Sequence, residues 1–170
     1  MRVIGGEWRG RIIAAPRGRT VRPTLDRVRE AWMSIVQLAL PGARVLDLFA
    51  GSGALGIEAL SRGAESADFV DSDGNSLAAI RSNLDVLGAT GRATLTRADA
   101  LEFAATLDAG SYDVVFADPP YADIAASKLA ELWLARSFST IIGIEHARSQ
   151  VMPAGGDTRR YGDSRITFYR

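Results

Sequence analysis

Residues 44–56 read Arg-Val-Leu-Asp-Leu-Phe-Ala-Gly-Ser-Gly-Ala-Leu-Gly, and they indicate the fold of the chain. An apolar run of strand length contains Asp47 near its end, and a glycine-rich turn then leads into a segment of helical spacing. The glycines satisfy the G-x-G-x-x-G pattern, in which the backbone can approach a bound ligand closely. The stretch therefore predicts a strand, a tight turn and a helix of a nucleotide-binding α/β fold.

The rest of the chain alternates between strand-like and helix-like segments. Strands are predicted near 44–48, 66–70, 93–96, 112–117 and 140–145, and helices near 54–61, 74–87, 100–107 and 124–135. An earlier helix is predicted to begin at Thr24, with Arg29 largely outside its apolar stripe, and to end at Pro41. Such alternation predicts a parallel sheet with helices on both faces.

The two ends of the chain have the pattern of antiparallel hairpins. Residues 2–4 and 11–14 are short strand candidates joined through glycines, and residues 157–170 contain two more strand candidates around a Gly-Asp turn. We therefore expect a basic N-terminal hairpin or arm over residues 1–23 and a single globular domain over residues 24–170.

Composition excludes several kinds of site. The 170 residues contain no cysteine, which excludes disulfides, cysteine-rich zinc sites and a catalytic thiol. His146 is the one histidine, so no metal site is expected. No apolar run approaches the ~20 residues of a membrane span, and we expect a cytoplasmic protein.

The neutral formal charge conceals an asymmetry along the chain. Residues 1–30 hold eight arginines against three acids, a net charge of +5, which leaves −5 for the remainder. A basic arm ahead of an acidic domain predicts contact with the phosphates of a nucleic acid. A merely solvated basic surface is the alternative interpretation.

Residues 115–121, Val-Phe-Ala-Asp-Pro-Pro-Tyr, indicate the chemistry. Asp118 and the carbonyl of Pro119 offer fixed acceptors for an exocyclic amino group, because Pro120 has no N–H to compete for that carbonyl. Tyr121 offers a flat face on which a base can stack. We interpret this pattern as a site for methyl transfer onto the amino group of a nucleobase, with a purely structural turn as the alternative.

Acidic residues at successive strand ends predict the cofactor. Asp71 follows the second strand, where an acid commonly accepts from the hydroxyls of a ribose. The glycine pattern alone would also suit a nicotinamide cofactor. Asp47 within the first strand, together with the segment that begins at Asp118, favours S-adenosylmethionine.

The chain resembles the bacterial small-subunit ribosomal RNA (guanine-N2)-methyltransferases, the RsmD family, over essentially its whole length. The resemblance is carried by residues 2–11, 22–30, 47–56 and 58–63, of which the first two stretches are the most specific. It implies a class I S-adenosylmethionine-dependent methyltransferase with a Rossmann-like sheet, an N-terminal β-hairpin extension and a C-terminal antiparallel hairpin. It also implies methyl transfer to the exocyclic N2 of a guanine in small-subunit (16S) ribosomal RNA.

The resemblance further implies roles for individual residues. The implied cofactor contacts are Thr24, Asp47, Phe49, Gly51, Ser52, Gly53, Asp71, Ser72, Asp99, Ala100 and Asp118. The implied catalytic residues are Asp118, Pro119, Pro120 and Tyr121, and the implied RNA contacts are Arg9, Arg11, Arg22 and Arg27. Asp99 could instead cap the following helix, and Trp8 could either stack on RNA or pin the hairpin to the core.

Two other functions stay open at this point. One is an adenine-N6 methyltransferase acting on RNA or DNA, and the other is a non-catalytic subunit that binds the cofactor or RNA. The expected partner is ribosomal RNA, either free or within an assembling or assembled small subunit, and the expected state is a monomer.

Overall fold

The computed structural model describes residues 1–16, 24–120 and 124–170, with the side chains of Thr24 and Leu25 left out. The helices are α1 (Thr24–Val36), α2 (Ala54–Ser61), α3 (Gly74–Leu87), α4 (Ala100–Ala105) and α5 (Ala125–Arg136). The strands are β1 (Arg44–Leu48), β2 (Ser66–Asp71), β3 (Ala93–Arg97), β4 (Tyr112–Ala117), β5 (Ser139–Ala147), β6 (Asp157–Tyr161) and β7 (Ser164–Tyr169). Most of these bounds agree with the predicted segments to within about two residues, because the apolar runs are short and bounded by turns. The exception is α1, which ends at Val36 and is followed by a short 3-10 helix over Gln37–Ala39 before Pro41.

All seven strands form one sheet in the order β3-β2-β1-β4-β5-β7-β6. The first five strands are parallel, whereas β7 runs antiparallel to both β5 and β6. β1 lies near the centre of the sheet, and four of its five residues are buried, as expected for a parallel strand covered on both faces. The predicted parallel sheet and C-terminal hairpin are confirmed.

The sheet separates two apolar cores. One face packs against α1, α2 and α3 around Trp32, Phe69 and Phe116, with the rings of Trp32 and Phe116 in an edge-to-face contact at 5.7 Å between centroids. The other face packs against α4 and α5 around Trp133 and Phe138. Trp32 and Trp133 are therefore core residues whose apolar area stabilises the helix-on-sheet layers.

The N-terminal segment forms a minimal hairpin. Arg2 and Ile12 make an isolated antiparallel bridge, and the backbone N–H of Val3 donates to the carbonyl of Arg11 at 2.9 Å. The predicted strands thus shorten to a single bridge, because side-chain and backbone contacts with α2 satisfy other groups of this segment. The predicted boundary after residue 23 lies beside residues 17–23, outside the described residues.

Two polar side chains of α2 hold residues 4–8 in place. The buried carboxylate of Glu58 accepts from the backbone N–H groups of Ile4 and Gly5 at 2.9 and 2.8 Å. The hydroxyl of Ser61 accepts from the N–H of Trp8 at 2.9 Å and donates to the carbonyl of Gly5 at 2.6 Å. Residues 4–8 are consequently docked on α2 by these hydrogen bonds.

The indole of Trp8 completes this docking. Its side chain is buried within the core on the α2 face, and the guanidinium carbon of Arg92 lies 5.6 Å from the ring centroid. Of the two roles considered for Trp8, the structure supports pinning the hairpin to the core. In the described part of the chain, no helix is long and apolar enough to cross a membrane.

We predict that Glu58→Ala releases the N-terminal segment and lowers the free energy of unfolding by about 2–4 kcal/mol, because two N–H groups and the Arg62 guanidinium lose a buried acceptor. Thermal or chemical unfolding measures the change in stability. Trypsin should also cleave after Arg9 or Arg11 faster in the variant than in the parent.

Glu131→Ala is the matched control, since Glu131 is an exposed acid in the middle of α5 and its removal should change stability by less than about 0.5 kcal/mol. Equal stability and equal cleavage of Glu58→Ala and Glu131→Ala would contradict the docking role of Glu58.

Candidate active site

Three acidic residues lie where β1, β2 and β4 end. The parallel register places Leu48 of β1 opposite Val70 of β2 and Ala117 of β4. Asp47 comes just before this level, whereas Asp71 and Asp118 follow it by one residue. Because the carboxyl ends of parallel strands meet at one edge of the sheet, these three carboxylates surround the glycine turn between β1 and α2.

Asp47 is the most buried of the three acids, at 2% exposed. Its Oδ2 accepts from the N–H of Gly56 at 2.9 Å, in the first turn of α2. Burial raises the pKa of Asp47 well above its usual range, the Gly56 hydrogen bond opposes this, and the charges of Asp118 and Asp71 raise it further. A cation placed beside Asp47 would favour the ionised carboxylate and relieve this cost.

Asp71 anchors the glycine turn from the second strand. Its Oδ2 accepts from the N–H of Gly51 at 2.7 Å, and its Oδ1 accepts from the N–H of Asp73 at 2.8 Å. A carboxylate offers about four lone-pair sites, so Asp71 retains capacity for the hydroxyls of a ribose. Asp73 itself accepts from the N–H of Asn75 and caps α3.

The glycine turn requires left-handed backbone conformations at several positions. Gly53 has φ of 75°, and a Cβ there would lie 2.9 Å from Cγ1 of Ile80. Phe49 adopts φ of 57° although it is not glycine, a conformation that costs on the order of 1–3 kcal/mol and tends to occur at functional sites. The turn is therefore a shaped and strained segment whose form the surrounding contacts maintain.

A buried amide joins this turn to the N-terminal segment. The side chain of Asn83 in α3 exchanges two hydrogen bonds with the backbone of Ala14, at 2.7 and 2.9 Å, and also donates to the carbonyl of Ser52 at 3.3 Å. Hydrogen bonds of one side chain thereby link the N-terminal segment to the turn that would contact the cofactor.

A cavity opens between the glycine turn, α1 and the N-terminal segment. Five predicted site residues line it, namely Asp47, Phe49, Gly51, Ser52 and Asp118. Pro119 is buried and Pro120 is exposed beyond β4. Tyr121 and Arg22 lie outside the described residues, and Thr24 is described only as the first residue of α1.

Arg29 and Glu145 also line this cavity, and neither is among the site residues that the sequence predicts. Arg29 is 4% exposed, so its predicted position outside the buried stripe is wrong: residues of the N-terminal segment cover that side of α1. Its Nη2 donates to the carbonyl of Arg2 and to Asp26, and its Nε is buried without a hydrogen-bond partner. Burial is the main cause that lowers the pKa of Arg29.

Signals for both residues were present in the sequence. Arg29 lies inside the motif of residues 22–30, and Glu145 is an acid near the end of a buried strand, as Asp47 is. Neither signal distinguishes a residue that faces the site from one that faces solvent, because that depends on which segments cover α1 and β5.

The remaining predicted cofactor residues lie beside β2 and β3. Asp99 is exposed, and its Oδ1 accepts from the N–H groups of Leu101 and Glu102 at 2.9 Å each, which makes it the cap of α4. Ser72 is exposed after β2, and Ala100 is buried in the first turn of α4. The alternative helix-capping role of Asp99 is thus observed, while its contact with adenine stays a prediction.

The residues present fit S-adenosylmethionine. The cofactor carries a positively charged sulfonium and ammonium, which suit the buried carboxylate of Asp47, and a carboxylate, which suits the incompletely paired Arg29. Its ribose hydroxyls suit the acceptor at Asp71. Among the residues that the structure describes, no cluster of histidine and acidic side chains could hold a metal ion.

Comparison with known proteins gives the chain its relatives. The family model described as Conserved hypothetical protein 95 matches residues 1–170. A Bacillus subtilis protein named "Putative rRNA methyltransferase YlbH" is 39% identical, and the match covers 100% of this chain and 98% of that protein. The Haemophilus influenzae protein named "Ribosomal RNA small subunit methyltransferase D" is 32% identical, with 100% of this chain and 92% of that protein covered.

Solved structures agree with this relationship. The Escherichia coli protein described as "Putative methyltransferase yhhF" superposes with a TM-score of 0.84 at 32% identity, covering 99% of this chain and 96% of that one. A Thermus thermophilus 16S rRNA N2 G1207 methyltransferase, solved with AdoMet and guanosine, shares the fold with a TM-score of 0.68 at 18% identity, covering 91% of this chain and 44% of that one. The predicted class I methyltransferase fold is confirmed.

Three observations agree with one another. The family model matches the whole chain, the relatives are 39% and 32% identical to it, and acidic residues lie at the end of the sheet where a cationic cofactor would bind. The chain belongs to the Conserved hypothetical protein 95 family, which includes the ribosomal RNA small subunit methyltransferase D proteins, and it is an S-adenosylmethionine-dependent methyltransferase.

Proposed function

We propose that this enzyme transfers a methyl group from S-adenosylmethionine to the exocyclic N2 of a guanine in small-subunit ribosomal RNA. The observation that carries the proposal is the position of Asp118, which lines the same cavity as Asp47 and the glycine turn and is followed by Pro119 and Pro120. An acceptor for an amino group thus adjoins the cofactor site.

In this reaction the main contribution of the protein would be to position the acceptor amino group. Bound S-adenosylmethionine would supply a methyl group on a positively charged sulfur, which would leave as a neutral thioether on in-line attack by an amine that afterwards loses one proton. The amino group of guanine is a weak nucleophile, since its lone pair is delocalised into the ring. Asp118 and the Pro119 carbonyl would accept its two N–H bonds, favour a more tetrahedral nitrogen and stabilise the positive charge that develops on it.

The other residues of the site would hold the reactants in line. Asp47 and the backbone of the turn at Gly51 would bind the methionine end of the cofactor, and Asp71 would bind the ribose. The apolar wall of Val28 and Trp32 would exclude water from the same cavity. Tyr121 would stack on the target base, which has to leave its helix at a cost of a few kcal/mol.

The N-terminal arginines support RNA as the substrate. Arg9 and Arg11 are exposed on the docked segment, and Arg27 is exposed on α1. Arg11 reaches across to donate to the carbonyl of Val86 at 2.9 Å, which holds its guanidinium near the surface of α3. Arginines so placed would contact phosphates and orient the RNA without reading its sequence.

We predict that Asp118→Ala reduces the methyl-transfer rate by at least about a hundredfold, in the range of a lost preorganised hydrogen-bond partner. Cofactor affinity should stay within a few-fold of the parent, because Asp118 is proposed to act on the acceptor amine. Single-turnover kinetics with labelled S-adenosylmethionine and calorimetry separate the two effects. Near-normal turnover in this variant would refute the proposed role.

We predict that cofactor affinity rises with pH through the raised pKa of Asp47. Because its pKa is raised, Asp47 stays partly protonated at pH values above the usual carboxyl pKa of about 4. A cation bound beside Asp47 favours the ionised carboxylate, so binding should release this proton. Calorimetry in buffers of different ionisation enthalpy should detect proton release on binding. Asp47→Asn should bind about tenfold more weakly and lose this pH dependence.

Asp108→Asn is the control, because Asp108 is an exposed acid in the loop after α4 and lies away from the cavity. If Asp47→Asn kept the pH slope of the parent and of Asp108→Asn, another group would be the one that titrates.

We predict that the product is N2-methylguanosine. The Asp118 site accepts any planar exocyclic amine, so the choice of guanine over adenine depends on how the N-terminal segment and residues 22–30 present the RNA. Nucleoside analysis of small-subunit ribosomal RNA after reaction identifies the modified base. Methylated adenosine as the main product would overturn the choice of base and leave the cofactor site unaffected.

A further inference from the structure

The C-terminal hairpin continues the sheet beyond β5. Its turn lies beside the carboxyl end of β5, at the same end of the sheet as the active site. β5 is parallel to β4, with Ala117 opposite Ile144, and β7 then places Arg165 opposite His146. β6 places Arg160 opposite Arg165. With strands about 4.8 Å apart, the backbones of Arg165 and Arg160 lie roughly 10 and 14 Å along the sheet from the end of β4.

Three arginines line a groove at this position. Arg160 and Arg165 project from the same face of the hairpin as His146, and Arg148 follows the end of β5. The other wall is the segment of residues 152–156. No acidic residue is among the described residues that line this groove.

The arginines of this groove carry uncompensated charge. The register sets Arg160 directly opposite Arg165, and like charges directly opposite each other destabilise an antiparallel pair. Among the ion pairs of the described residues, none includes Arg148, Arg160 or Arg165. By contrast, Arg159 on the opposite face of β6 pairs with Asp157 at 2.7 Å.

The groove is held in shape by its own contacts. The hydroxyl of Tyr169 donates to the carbonyl of Pro153 at 2.9 Å, and Thr167 joins Nε2 of His146 to the hydroxyl of Thr158 at 2.8 Å each. Gly156 lies so close to β7 that a Cβ there would be 2.3 Å from Cγ2 of Thr167. The wall opposite the arginines is therefore packed directly against the strand.

We propose that this arginine groove binds backbone phosphates of the RNA that flank the target nucleotide. A guanidinium presents a planar set of donors that matches a phosphate, and a bound phosphate would relieve the repulsion between Arg160 and Arg165. The inference rests on the proposed function, since it takes ribosomal RNA as the substrate. It adds a second contact surface on the sheet face opposite the cavity, because Glu145 lines the cavity and the next residue of β5, His146, points to the other face.

The test is the double variant Arg148→Gln/Arg160→Gln, which leaves Arg165 in place because its Nη1 donates to the carbonyls of Gly162 and Ser164. Binding of labelled small-subunit ribosomal RNA, protein-free and in isolated subunits, is titrated at several salt concentrations. We expect affinity at low salt to fall about tenfold. The slope of log K against log salt should become shallower by about 1.4, the value for two single-strand phosphate contacts.

Arg159→Gln is the matched control, because it removes one arginine from the other face of the same strand. It should retain the affinity and salt slope of the parent. Arg148→Lys/Arg160→Lys should restore most of the salt slope, since lysine also contacts phosphate as a point charge. All variants should keep the parent affinity for S-adenosylmethionine.

The outcomes separate this inference from the proposed function. A parent enzyme that neither binds nor methylates ribosomal RNA would overturn both. A parent that methylates RNA, with a double variant whose affinity and salt slope equal those of Arg159→Gln, would overturn the groove alone. A third outcome is that the parent binds inorganic phosphate tightly, the double variant does not, and RNA binding is the same in both. This outcome would make the groove a small-anion site and would also overturn the inference.

Discussion

The parallel register of β1 between β2 and β4 is the constraint on which the rest of this molecule depends. It brings Asp47, Asp71 and Asp118 from distant parts of the chain to one edge of the sheet. Their mutual repulsion and the burial of Asp47 make the edge costly without a cation, as the raised pKa of Asp47 reflects. Two hydrogen bonds offset part of this cost: Asp71 accepts from the N–H of Gly51 in the glycine turn, and Asp47 accepts from the N–H of Gly56 in α2. The turn lines the cavity.

The N-terminal segment is part of this site's architecture and more than a basic tail. Glu58 and Ser61 of α2 bind the backbone of residues 4–8, and Asn83 of α3 joins Ala14 to Ser52. The stretches 2–11 and 58–63, both of which carry the family resemblance, therefore contact each other. Because α2 begins at the glycine turn, the helix that holds the arm is also the helix whose first turn bonds to Asp47.

The two basic surfaces of this protein arise in different ways, one from residues close in sequence and the other from strand pairing in the sheet. Counting residues identifies the basic N-terminal segment, since its arginines are close in sequence. Arg148, Arg160 and Arg165 are spread among acids and become one surface when the hairpin pairs with β5. An acidic cofactor edge flanked by two basic surfaces suits an enzyme that binds a cationic cofactor and a polyanionic substrate at once.

The sequence by itself determined the order of helices and strands, the glycine turn and the acids at strand ends, because these depend on local periodicity and turn chemistry. It also determined the family, through the stretches 2–11, 22–30, 47–56 and 58–63. Tertiary structure alone decided that Arg29 is buried at the cavity that Asp47 also lines, that Trp8 is a core residue, and that Glu145 faces the cavity. Such outcomes follow from which segments cover a helix or strand face, and that packing joins residues far apart in the chain.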